Sequence, residues 1–145
     1  MTDRFHIKQF YPNYFSFVIS GSVALILGAV LPFLIEENGI SLAVAGTLLS
    51  VFAIGNFTAS FVYPLLLKIF GRKGAFVFTL CFQPVCLVLM SCVSKISVLL
   101  FIFFMLGLTR GCSSIFNNAY INENGDGSAA ALNILHMIFA VGAFS

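Results

Sequence analysis

Arg110 is the residue whose chemistry most needs explaining. It lies about 20 Å along a helix from the start of an apolar run that opens at Ser97. A guanidinium stays charged, and charge in hydrocarbon is costly unless it meets a wet cavity or a polar partner. At 100° per residue, Arg110, Ser114 and Asn117 fall within about 60° of one another, one polar stripe on an otherwise lipid-like helix. Two readings are open: the stripe faces a substrate or ion path, or Arg110 pairs with helix carbonyls or a polar neighbour at the inner rim. Asn117 and Asn118, at the inner end, either bond between helices and cap the interface or touch a ligand. Asn133 and His136 stand three apart on the last apolar run, sharing a face with Ala129, Ala140 and Ala143. They pack and hydrogen-bond, or His136 serves a proton path. Asn56, beside the small residues Gly46, Ser50, Ala53 and Ser60, is equally a ligand contact or a helix contact, and Gln83 reads as a satisfied core amide.

Hydrolase, nucleotide and metal motifs are missing: no GxSxG, no Walker loop and no HExxH occurs. The five acids sit in the N-terminal lead and in turns, so neither a catalytic carboxylate pair nor an intramembrane proton-carrying acid is present. The reading is therefore no enzyme, no catalytic residue, no metal and no cofactor. The cysteines Cys81, Cys86, Cys92 and Cys112 lie in apolar segments without CxxC spacing and read as small core residues.

The elements that must position these groups are transmembrane helices. Of the 145 residues, 60% are hydrophobic and 8% charged, with a mean hydropathy of +1.06. Soluble domains carry about 25% charged residues, so the chain is expected to be an all-α membrane protein whose main partner is the lipid bilayer. The net charge of +2 forms no patch and implies no nucleic-acid partner. Apolar runs predict five spans, about 15–35, 42–67, 75–93, 97–119 and 128–145, in one partial helical domain covering 1–145. The first is too long for a signal peptide and is read as uncleaved. Gly21 and Gly28, seven apart, predict a close-packing face on it, and Gln83-Pro84 predicts a kink in the third. The fifth is still apolar at Ser145, which suggests a truncated product or a fragment.

Three of the seven Lys/Arg residues, Lys68, Arg72 and Lys73, lie between the second and third spans. Basic residues are retained on the cytoplasmic side, which makes this a cytoplasmic loop and places the N-terminus, with Arg4 and Lys8, inside too. The outer turns then hold Glu36-Glu37 and Lys95, and the turn around Asn122–Gly127 returns inside.

Phe70-Gly71-Arg72-Lys73 resembles the end of the loop motif of major facilitator superfamily transporters, and the flanking Ile40–Gly55 resembles their second helix. The sequence departs from the motif at Pro64 and Lys68, where the family has Gly and Asp. Gly107-Leu108-Thr109-Arg110-Gly111, Asn117-Asn118-Ala119, Ala129–His136 and Gly142-Ala143 resemble the fucose-permease-like, sugar-porter branch. The resemblance covers about 40–145. It implies the first five helices of a twelve-helix carrier, cut within the fifth, in the cell (plasma) membrane. It implies secondary transport of a small polar solute, such as a sugar, by alternating access, with a coupling ion such as a proton. Gly71, Arg72 and Lys73 are then the loop motif, and Arg110, Ser114, Asn117, Asn56, Asn133 and His136 the substrate-path candidates. The alternatives are a non-transporting remnant or a structural membrane subunit.

Overall fold

The computed structural model describes residues 7–124 and 129–144, with side chains from residue 11 onward. Arg4, the residues 125–127 of the inner turn, and Ser128 and Ser145 at the ends of the last expected span lie outside the described residues. Four helices follow one another: α1 (Ile7–Asn38), α2 (Leu42–Cys92), α3 (Ile96–Asn124) and α4 (Ala129–Phe144). The first three hold stretches long and apolar enough to cross a membrane, and α4 is a shorter apolar helix.

Five helices are expected from the sequence and four are found among the described residues. The second and third expected spans, with the supposed basic loop between them, form the single 51-residue α2. Its length would be about 76 Å if straight, far beyond a ~30 Å hydrocarbon core, and it is broken at one residue. Gly71 has φ 68° and ψ 175°, a region essentially closed to residues with a Cβ. Helical hydrogen bonding resumes on either side of it, so the basic segment is helical except at this point. Pro64 and Pro84 both lie inside α2 with helical angles. The kink expected at Pro84 has no non-helical angle to mark it, whereas the interruption expected at the basic segment is present but narrowed to Gly71, a residue type that takes a positive φ without steric cost.

α1 and α3 run longer than expected, while the outer ends of α2 fall within one residue of the expected 42 and 93. α1 reaches to Asn38, where Gly39, at φ 60°, ends it in the left-handed conformation usual after a helix. Ser41 caps α2, its Oγ accepting from the Val44 N–H at 3.3 Å, and Val93 leaves it in extended conformation. α3 continues through Asn122–Asn124, which the sequence reads as turn.

The chain packs as two units, one of residues 1–28 with 116–145 and one of residues 29–115. In the first, α1 meets α4 across small residues. A Cβ on Gly21 would strike the Phe139 carbonyl oxygen, and one on Gly142 would strike that of Val18. Ser22 Oγ donates to the Gly142 carbonyl at 3.0 Å. Tyr14, Phe17, Ile121, Ala131 and Leu135 form the buried cluster of this unit. In the second, α2 crosses α3 through Gly55, which abuts the Phe104 carbonyl, and Gly107, which abuts that of Phe52. Gly111 completes a G-x-x-x-G pair with Gly107 and faces Ala59 and Asn56. Such small residues let backbones approach to van der Waals contact where no hydrophobic effect drives helices together.

The structure corrects several expectations about packing faces. Gly28 is exposed, and nothing lies within 4 Å of the position a Cβ would take there, so only Gly21 of the expected pair makes a close approach. The small stripe Gly46, Ser50, Ala53 and Ser60 is exposed, while Ala45, Leu48, Gly55 and Ala59 are the packed face. The Ser50 hydroxyl is satisfied by the Gly46 carbonyl at 3.0 Å, which lets a serine face lipid. Cys86 and Cys112 are buried as expected, but Cys81 and Cys92 are exposed.

Gly107→Leu should cost about 1–3 kcal/mol through overpacking against the Phe52 backbone, lowering the thermal unfolding midpoint in detergent micelles. Gly28→Ala, with open space at its Cβ, should leave that midpoint unchanged or raise it.

Candidate functional site

In the 29–115 unit, the crossing of α2 and α3 fixes the geometry around Arg110. Gly107 and Gly111 bring the backbones together, and Arg110 leaves the seam half-buried. Its guanidinium carbon lies 5.7 Å from the centre of the Phe52 ring, within cation–π range. Asn56 follows Phe52 by one turn, and its Oδ1 would be 2.8 Å from a Cβ on Gly111. The structure thus brings Arg110 and Asn56 to the same seam. Ser114, one turn past Arg110 on α3, is half-buried. This set can offer a positive donor, an amide and a hydroxyl to a polar solute. Sequence reasoning misses Phe52, because one phenylalanine among 18 carries no signal of its own.

Asn117 belongs to the other unit and is fully buried. Its Oδ1 accepts from Ser16 Oγ at 3.0 Å, and the same hydroxyl is 2.9 Å from the Asn13 carbonyl. A polar knot therefore ties α1 to α3, with Ser20 also buried on α1. The buried Asn13 Nδ2 of this knot has no hydrogen-bond partner, and neither has the buried Oδ1 of Asn118, the residue after Asn117. Ser16 and Asn13 escape a reading of the sequence because their three-residue spacing at the start of an apolar run looks like a polar flank. On α4, His136 and Asn133 are exposed. The His136 ring meets Phe17 edge-on, with centroids 6.4 Å apart.

Of the loop-motif residues, Gly71 makes the α2 break, and Arg72 and Lys73 are exposed beside it. Gln83, expected to be a satisfied core amide, is buried at 2% exposure, but its Nε2 has no hydrogen-bond partner. Among the described residues no group of three or more His, Cys, Asp or Glu could hold a metal.

The Ser16–Asn117 bond should be worth about 1 kcal/mol as a coupling energy. A double-mutant cycle of Ser16→Ala and Asn117→Ala, read by denaturant unfolding in micelles, measures it, and additive losses would show that the two side chains act separately.

No curated protein and no solved structure matches the chain. The family described as sugar (and other) transporter matches residues 6–139, nearly the whole sequence and both packing units. With three helices able to span a bilayer, the chain is an integral membrane protein and belongs to the sugar (and other) transporter family of the major facilitator superfamily.

Proposed function

We propose that this chain carries the substrate-recognising polar groups of a sugar carrier that works by alternating access in the plasma membrane. The observation that most supports this is Arg110, a half-buried cation at a glycine-built helix crossing, held against the face of Phe52. Such a group is expensive in a membrane interior and is retained where a polar solute uses it. In this reading Arg110 donates to a hydroxyl or ring oxygen of the sugar, while Asn56 and Ser114 complete recognition in their unit. On α4, in the other unit, Asn133 and His136 are the remaining candidates for the path, His136 for a coupling proton. Asn117, bonded to Ser16, serves the path by fixing α1 against α3. The resemblance to the fucose-permease-like branch favours a small monosaccharide.

The basic residues Lys68, Arg72 and Lys73 favour an inward-facing Gly71 break and a cytoplasmic N-terminus. Arg72→Cys should be labelled by a membrane-impermeant thiol reagent only after cells are opened. Labelling in intact cells would reverse the topology.

Arg110→Ala in the full-length carrier should lower sugar uptake into proteoliposomes by about tenfold or more, the scale of one lost charged hydrogen bond. Expression should be retained, and Arg110→Lys should recover part of the rate. Unchanged uptake in Arg110→Ala would remove Arg110 from the path.

A further inference from the structure

We infer that the Gly71 break carries a site for a single anionic phospholipid, its headgroup at Lys68 and Lys73 and one acyl chain in the apolar cavity of the 29–115 unit. Three features of that unit converge on this site. The first is charge. Lys68 and Lys73 are exposed on either side of Gly71, and neither makes an ion pair among the described residues. From residue 38 to residue 122 the sequence contains no acid at all, so the chain around the break supplies cations and no carboxylate. An anionic headgroup is the complementary partner at the membrane surface.

The second feature is a cavity of about 90 Å³ lined by Val62, Leu66, Phe78, Phe82, Met105 and Leu108. It lies between the two arms of α2 and α3, and Leu66 on its wall is two residues from Lys68. Its two threonines do not make it polar. Thr79 Oγ1 donates to the Phe76 carbonyl at 2.9 Å, and Thr109 Oγ1 donates to that of Met105 at 2.9 Å. With both hydroxyl hydrogens committed to backbone carbonyls, these threonines offer no donor to the cavity, and its otherwise apolar wall suits methylenes better than water.

The third is a path joining the two. Phe70, exposed beside Gly71, stacks on Phe78 at 5.7 Å with the rings 7° apart. Phe78 in turn stacks on Phe82 at 5.5 Å. The ring ladder runs from the basic break to the cavity wall, and Phe78 is 43% exposed while lining the cavity. The cavity wall is therefore also membrane-facing surface, and a chain entering from the bilayer passes along the rings. The headgroup position also suits Lys68, which stands in place of the acid of the loop motif: an acid there would repel the phosphate.

This lipid site is separate from the proposed sugar path, and its test involves no sugar. The chain is reconstituted in vesicles of phosphatidylglycerol and phosphatidylcholine in equal amounts, extracted gently, and weighed with its bound lipid by native mass spectrometry. The wild-type protein should retain phosphatidylglycerol preferentially. Lys68→Gln and Lys73→Gln, both exposed and therefore tolerant of change, should each reduce that preference about fivefold. Val62→Phe, or Leu66→Phe if the first misfolds, should displace the acyl chain and lower retention of the lipid with both lysines intact. Circular dichroism confirms that each variant keeps its helices. Equal retention of the two lipids by the wild-type protein, or an unchanged preference in the double lysine variant, would overturn the headgroup site. Full retention in a folded cavity-filled variant would overturn the acyl slot.

Discussion

A backbone in hydrocarbon has no water to bond with, so each of its N–H and C=O groups must find a partner within the protein. That constraint explains the all-helical architecture and also its details. Hydroxyls on membrane-facing surfaces return to their own helix, as Ser50 does to Gly46 and Thr58 to Ile54. Chain reversals cost open backbone groups, so the break in α2 is confined to one glycine and the turn before α3 to the three residues 93–95. Lipid is as apolar as leucine, so helices are held by close approach. Gly21 and Gly142 provide it in one unit, Gly55 and Gly107 in the other.

The same economy governs the polar groups. Asn117 is buried and bonded to Ser16, a use of an amide that locks two helices together. Arg110 has a different setting, half-buried with its charge against an aromatic face. Both residues sit on one stripe of α3 in the sequence, and periodicity alone gives them the same standing. What separates them is the neighbouring helix, which brings a hydroxyl to one and a phenyl ring to the other.

Composition and apolar run length are enough to read the membrane class, the helical content and most helix positions. The place of the break in α2 is legible from the basic segment, but its narrowness is harder to read. Gly71 has the right residue type, but the flanking Lys68, Arg72 and Lys73 look like a loop, and Pro84 looks like the stronger helix breaker. Local propensity does not show that helical bonding resumes immediately after a single residue of positive φ. The packed face of α2 is obscure for a related reason. Gly46 and Ser50 satisfy the small-residue pattern as well as Gly55 and Ala59 do, and only the path of α3 decides between them. The knot of Asn13, Ser16 and Asn117 spans 101 residues of sequence between Ser16 and Asn117, a separation over which spacing carries no information.

Gly71 also limits how the gene can vary. With helix on both sides of a one-residue reversal, there is no loop to absorb an inserted or deleted residue. One extra residue after Gly71 would turn the following arm by about 100°, swinging Ala75, Thr79, Gln83 and Cys86 out of the interior and exposed residues into it. Changes of length should therefore be purged from 42–92 and accumulate at 93–95, so that in this part of the molecule the spacing of residues is held more tightly than their identity.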